Sequence, residues 1–433
     1  MYGASGHSIH IQELCRAFAK GGDEVFILAS RKGDEEKYVH PTPVCELGPR
    51  VSLLPTRARM FNAQSAGSPD EPATPPSTSL SPLRLARDTA RLAKWSAWDA
   101  YFYRRARKVI ALERPDFLYE RYVRGASAGA RLAAEFHLPF ILEMNTSFTF
   151  PLEWWDDHSP LVPWAVARTE RRNTTAADRV VVVSSHLRDY LRGTGVPDEK
   201  LELMFNAADI DRFRTNASQA HEIRERYGLG ERTIVVGFVG SLKPWHGVDV
   251  LLKSFHESLK EHPGLRLLIV GDGPMRHFLE SFTRSALATD CVTFTGPVAH
   301  AQTPAYIAAM DIAVAPAPPS PSNHLSPLKL FEYMASSRPI IAAAYSDIPK
   351  IVQHRENGIL VDPGSVDQIA AAILELARDV DFRHRLGRSA QQTVRHSYTW
   401  QQNAERILAL FSDIEARKLE PHRSRGGDPA LGR

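Results

Sequence analysis

Residues 324–341 read HLSPLKLFEYMASSRPII, and they hold groups suited to gripping a phosphorylated ligand. Ser326 followed by Pro327 is a strong helix opening, a capping hydroxyl and then a residue whose missing N–H is not needed there. The helix runs through Leu328, Leu330, Phe331 and Met334. It begins in a loop beyond the apolar run DIAVAP, at the rim where open α/β sheets bind ligands. Free N–H groups near Leu328 and Lys329 suit a diphosphate, and Glu332, less than two turns further in, suits ribose hydroxyls. The same spacing fits Lys329, Glu332 and Ser336 as the wet face of an ordinary helix, and spacing alone leaves both readings standing.

Three more junctions share this logic. In GFVGSLKPWHGVDVLL a strand ends at Gly240, a turn carries Lys243, Trp245 and His246, and a helix starts near Gly247. Lys243 and His246 can meet phosphate there, Lys243 as a point charge. The plainer reading is an ordinary loop with a surface histidine. VGDGPMRHFLE places Gly271 and Asp272 at another strand–turn–helix junction, a weak signal alone because glycines close many such turns. The opening MYGASGHSIHIQEL sets Gly3 and Gly6 before a helix, a good anion site, with no strand ahead of it. For a metal, Asp379 and Asp381 form an Asp-x-Asp triplet, but between two helical patterns, where a turn is the better reading. Asp156, Asp157 and His158 stand in a loop without a supporting cluster. No metal and no cofactor are expected.

What must position these groups is a pair of parallel sheets. EVFILA, DFLYE, PFILEM, RVVVVS and KLELMF in the first half, and TIVVGFVG, LRLLIVG, CVTFTG, DIAVAP, PIIAAA and GILVD in the second, lack polar alternation and read as strands covered on both faces. Eleven such runs in 433 residues are too many for one compact domain. The expected organisation is a first domain over 1–205, a linker over 206–232, a second domain over 233–397, a crossover helix over 398–418 and a disordered tail over 419–433. A Pro/Ser-rich insertion at about 57–82 should be disordered. The segment 83–113 should be one helix with an apolar stripe of Leu85, Leu92, Trp95, Trp98, Phe102 and Val109 beside a basic edge. That edge reads as a solvated face or as a surface resting on anionic lipid. A net charge of +3 argues against a nucleic-acid binder. Three scattered cysteines suit a reducing, cytoplasmic setting, and no apolar run approaches a membrane span.

Taken together, VGSLKPWHGVDVLL, LLIVGDGP, VTFTGPV, SPLKLFEYMA, NGILVDPG and SYTWQQNAERIL come in the order and spacing of glycosyltransferase family 4, and ADRVVVVSSHLRDYL and FNAADIDRF continue the match. The chain resembles this family over nearly its whole length. The resemblance implies a GT-B architecture: two Rossmann-like, doubly wound α/β domains facing across a cleft, with the last helix crossing back to the first domain. It implies a retaining, metal-independent transfer of a sugar from a nucleotide-sugar donor, with UDP- and GDP-sugars the leading candidates. The acceptor would be lipid-linked, a saccharide or a small molecule. Glu332 matches the second Glu of the family's E-x7-E motif, the ribose ligand. The first Glu falls on His324. An Arg–Lys pair that grips the diphosphate falls on Ser241 and His246. Asn145 stands where many members have a catalytic-site His, and Gly3 and Gly6 match the glycine loop facing donor phosphates and acceptor.

The resulting site set is Asn145, Lys243 and His246 for catalysis, with Gly6, Ser241, Gly271, Asp272, His324, Ser326, Leu328, Lys329 and Glu332 around the donor. Lys243, Lys329, the helix N-terminus and a protonated His246 would replace the lost Arg–Lys charge on the leaving group. The departures also suit a non-catalytic member that binds a nucleotide sugar, or a sugar-nucleotide epimerase on the same fold. Finally, the family's glycine loop follows a buried strand. Met1 is therefore expected to be an internal start, with about 10 to 20 further residues, a strand among them, in the natural protein.

Overall fold

The computed structural model describes residues 6–29, 44–46, 82–149, 159–214, 217–230, 233–286, 289–319 and 326–419. The insertion at 57–81, the tail beyond 419, Gly3, the 156–158 triplet and His324 lie outside the described residues.

Each of the eleven apolar runs supplies a strand. In chain order the strands are β1 (Ile27–Ala29), β2 (Val44–Glu46), β3 (Leu118–Arg121), β4 (Phe140–Met144), β5 (Arg179–Val182), β6 (Leu201–Leu203), β7 (Ile234–Val239), β8 (Leu265–Val270), β9 (Val292–Phe294), β10 (Ile312–Ala315), β11 (Ile340–Ala343) and β12 (Ile359–Val361). Only β2, a three-residue segment, has no counterpart in the sequence reading. Every ladder is parallel. The second domain is one six-stranded sheet in the order β12-β11-β10-β7-β8-β9. The reversal of order at β7 and β10 marks the switch point at which doubly wound sheets open a ligand crevice. The first domain holds a four-stranded sheet, β3-β4-β5-β6, and a separate β1-β2 pair.

The central strands have no exposed face. β4, β5, β10 and β11 are buried along their whole length because helices cover both sides. The last helix, Trp400–Leu419, returns to the first domain. Its Trp400, Ala404, Ile407 and Ile414 pack with Leu14, Ala17 and Phe18 of the Gly6–Gly21 helix. Phe411 stacks on Phe117 at 5.0 Å. Asp379 caps the Val380–Ser397 helix by accepting from the Phe382 N–H at 2.8 Å, so the Asp-x-Asp triplet is a helix–helix junction.

The expected long helix is present as Pro82–Glu113, and Phe102 and Val109 of the apolar stripe pack on the core, but the inner face is not the stripe alone. Leu85 and Trp98 are exposed, whereas Asp88, Asp99, Ala106 and Ile110 are buried. The two aspartates are turned inward because backbone donors need them. Asp99 accepts from the Ser127 N–H, the Ser127 hydroxyl and the Ala128 N–H at 2.8–2.9 Å, capping the Ala128–Phe136 helix from outside. Asp88 takes the Ser159 N–H at 2.7 Å. No helix among the described residues is long and apolar enough to cross a membrane.

Candidate functional site

The loops beyond β7 and β8 are locked together. Gly240 and Gly271 have φ of +151° and +132°. A Cβ on Gly271 would lie 2.0 Å from the Gly240 carbonyl, and one on Gly240 would lie 2.8 Å from Lys329 Nζ. Only glycine permits both the conformation and this closeness. The Leu242 N–H donates to the Asp272 carbonyl at 2.9 Å, and the Met275 N–H donates to the Leu242 carbonyl at 3.0 Å. Ser241, Lys243, His246, Gly271, Asp272 and Lys329 are thus gathered at one rim.

His246 does not carry the charge expected of it. Its Nδ1 points at the Ser241 carbonyl, an acceptor, and so holds the proton. Burial, then Lys329 and Lys243, pull its pKa down to about 3 against the pull of that carbonyl. The ring is neutral and ties down the Ser241 turn. Lys329 is the charge reserve instead. Its Nζ lies 4.0 Å over the Phe238 ring, and burial brings its pKa down from 10.5 to about 7, with Glu332 pulling it upward. Lys243 is exposed, with Nζ 4.9 Å from the centre of the Trp245 ring.

The Leu328–Ala335 helix starts at this rim. The N–H groups of Leu328 and Lys329 make no hydrogen bond to the described residues, as first-turn donors do when nothing is bound. Ser326 is not the cap. It precedes the N-cap residue Pro327, and its groups are taken by the linker: Ser326 Oγ accepts from the Asn206 N–H at 3.3 Å, and its carbonyl accepts from Asn206 Nδ2 at 2.7 Å. Glu332 is not on a wet face, being 7% exposed. His300 Nε2 lies 2.8 Å from Glu332 Oε1.

In the first domain, Asn145 follows β4 and donates through Nδ2 to Glu143 Oε1. Glu143 is a buried carboxylate, 2.7 Å from His10 Nε2, 2.5 Å from the Tyr119 hydroxyl and 3.5 Å from Arg121. Burial pushes its pKa up, but His10, Arg121 and Tyr119 outweigh it and hold the carboxyl well below the ordinary range. His10 Nδ1 faces Asn206 Oδ1 at 2.8 Å, and Trp400 meets the His10 ring edge-on at 4.7 Å. A small cavity of about 10 Å³, room for about one water, lies among His10, Tyr119, Glu143 and Trp400. His10 is one turn into the helix that Gly6 opens, so Asn206 ties the glycine-loop helix to Ser326. His10, Glu143, Asn206, Arg212 and His300 were not singled out from sequence. The available signal was Glu143, a lone acid inside the apolar run FILEM. Among the described residues no group of three or more His, Cys, Asp or Glu is placed to hold a metal ion.

Two family models match the chain: "Glycosyl transferase 4-like domain" over residues 5–207 and "Glycosyl transferases group 1" over residues 233–379. The GDP-mannose-dependent alpha-(1-6)-phosphatidylinositol monomannoside mannosyltransferase of Mycobacterium tuberculosis is 32% identical over 266 residues, which is 60% of this chain and 69% of that protein. The alpha-D-kanosaminyltransferase of Streptomyces kanamyceticus is 27% identical over 257 residues, 59% of this chain and 64% of that protein. Among solved structures, Anabaena HepE in complex with UDP and glucose superposes with a TM-score of 0.67 at 17% identity, covering 94% of this chain and 96% of that one. Sucrose-phosphate synthase from Thermosynechococcus elongatus gives 0.66 at 18%, covering 96% and 94%. The chain belongs to the group 1 glycosyltransferases of family 4, enzymes that draw on nucleotide-sugar donors, and it carries their two-domain GT-B fold.

Proposed function

We propose that this chain moves a hexose from a nucleoside-diphosphate sugar to an acceptor at a membrane surface, with retention of configuration and without a metal ion. The observation that carries the reading is the meeting of Lys329, the free Leu328 and Lys329 N–H groups and Glu332 at the switch point of the second sheet. The departing diphosphate gains negative charge as the sugar bond breaks, and fixed donors at that position stabilise it. Lys329 takes up a proton as the diphosphate arrives, and Lys243 adds charge from the open side. Glu332 holds the ribose. Asn145, anchored on Glu143, stands where the resemblance implies a catalytic-site His. His324 leaves the choice of sugar to this chain's own residues.

The membrane arm rests on the outer stripe of the Pro82–Glu113 helix. Lys94, Trp98, Tyr101, Arg105, Lys108 and Leu112 recur at spacings of three and four, and all are exposed. Aromatic and basic residues on one face suit an anionic lipid interface. GDP-mannose is the donor named for the M. tuberculosis relative, a phosphatidylinositol monomannoside mannosyltransferase, so GDP-mannose heads the candidates. The test is a panel of GDP-, UDP- and ADP-sugars scored by thermal stabilisation and by sugar release. A donor at about 100 times its Kd adds about 2.7 kcal/mol to folding stability. Absence of stabilisation and turnover with every donor overturns the reading.

A further inference from the structure

The Glu332 carboxylate has one oxygen in use. Oε1 is bound to His300 Nε2 at 2.8 Å, and Oε2 makes no hydrogen bond to the described residues. On its other side, His300 Nδ1 lies 3.0 Å from Arg212 Nη2. A guanidinium only donates, so Nδ1 must present its lone pair. The ring proton therefore sits on Nε2, and His300 donates it to Glu332. Arg212 is held in turn: its Nη1 pairs with the Glu13 carboxylate of the Gly6–Gly21 helix, and Glu13 also takes Arg16 at 2.6 Å. Glu13, His300 and Glu332 are all less than one-tenth exposed. Phe213, beside Arg212, lies 6.2 Å from the imidazole, centre to centre.

We propose that His300 is a positioning residue that sets the Glu332 carboxylate for the donor ribose, and that the first domain holds His300 in the required tautomer through Glu13 and Arg212. The polarity of the chain has one direction. The cation Arg212 donates to His300, His300 donates to Glu332, and Glu332 is left with accepting oxygen for ribose hydroxyls. A carboxylate on a helix has freedom about three side-chain torsions, and the imidazole removes it. The linker and the first-domain helix thereby become part of ribose recognition although neither is required to touch the nucleotide. This inference rests on the reading of Glu332 as the ribose ligand, so the experiment separates the two.

The measurement is the Kd of GDP and UDP by calorimetry on the full chain. The tighter binder is then compared with its 2′-deoxy and 3′-deoxy forms. The readout is the ratio of deoxyribose to ribose Kd, which general destabilisation does not move. Glu332→Ala is expected to lower that ratio to near one. His300→Ala should weaken the ribonucleotide about tenfold and lower the ratio in step, with no further loss when combined with Glu332→Ala. His300→Gln offers a donor and an acceptor in one amide and should restore most of the ratio. Arg212→Met, with the His300 tautomer released, should fall between. If Glu332→Ala leaves the ratio unchanged, or neither nucleotide binds the wild type, the ribose reading falls and this inference with it. If Glu332→Ala abolishes the ratio while His300→Ala keeps it, the ribose reading stands and the positioning role of His300 is overturned.

Discussion

Lys329 offers the sharpest test of how the donor phosphates are held, because stability and binding should move in opposite directions. Its pKa lies at about 7 in the fold against an ordinary 10.5, chiefly through burial. At about 1.36 kcal/mol per pH unit the difference sets a ceiling of about 5 kcal/mol on the cost of keeping this amine charged in the empty site. Partial contact with solvent reduces the realised cost, and about 2 kcal/mol is a fair expectation. The sign follows from proton counts. Between pH 7 and 10.5 the unfolded chain holds a proton on Lys329 that the folded chain has lost, so this group makes stability rise with pH across that window. Lys329→Met should remove that slope. At pH 7 it should raise the melting temperature by about 4–8 °C, at about 2–4 °C per kcal/mol for a domain of this size. The same variant should lose about 10- to 100-fold in nucleoside-diphosphate affinity, the worth of a charge-assisted hydrogen bond. In the wild type, binding should take up a proton above pH 7, and affinity should fall as pH rises from there. Calorimetry in buffers of different ionisation enthalpy, with thermal unfolding from pH 6 to 10, reads both. A destabilised Lys329→Met protein with unchanged affinity and no proton uptake would refute the reasoning.

Other expectations are independent of that one. Lys243→Ala should lower turnover more than His324→Ala, because Lys243 is an exposed charge on the loop beyond β7 where the diphosphate is proposed to lie, while the resemblance places His324 at the position of the family's sugar-binding acid; steady-state rates of both variants on one donor check it. Asp99→Ala strands the Ser127 and Ala128 N–H groups and should cost about 2–4 kcal/mol, seen as a lower melting temperature, with donor Kd unchanged in the folded fraction. Neutralising Lys94, Arg105 and Lys108 together should weaken binding to vesicles of anionic lipid by about 100-fold, at about 1 kcal/mol per charge, and leave neutral vesicles unaffected. A triple variant that binds anionic vesicles as well as the wild type removes the membrane arm of the proposal.

Much of the architecture was legible because burial on both faces leaves a plain mark. A run such as RVVVVS has no polar position to give to water, and it became a central strand. The Pro82–Glu113 helix shows where that logic stops. Its inner face was sought among apolar residues, but Asp88 and Asp99 turn inward to satisfy backbone donors far along the chain, which no local pattern encodes. Ser326 was misjudged for a similar reason: its hydroxyl answers to Asn206, 120 positions away, not to its own helix. The Ser–Pro helix opening beyond DIAVAP drew attention to Lys329 and Glu332, and the fold gathers Lys329 with Ser241 and His246. Protonation depends on neighbours brought in by folding. His246 sits between burial and two lysines and is neutral, so its type and position alone gave the wrong charge. His10, Glu143 and His300 form partnerships 32 to 196 residues apart, beyond the reach of spacing arguments.

Retaining, metal-independent sugar transfer from a nucleotide sugar held at Lys329 and Glu332 is the chemistry proposed for this chain. The most direct measurement follows donor breakdown by proton NMR, with GDP-mannose and UDP-glucose in excess chelator and no added acceptor. The α anomer of the free sugar should appear first, before mutarotation, and the rate should collapse in Glu332→Ala. First appearance of the β anomer, or release that stops on chelation and returns with a divalent cation, would contradict it.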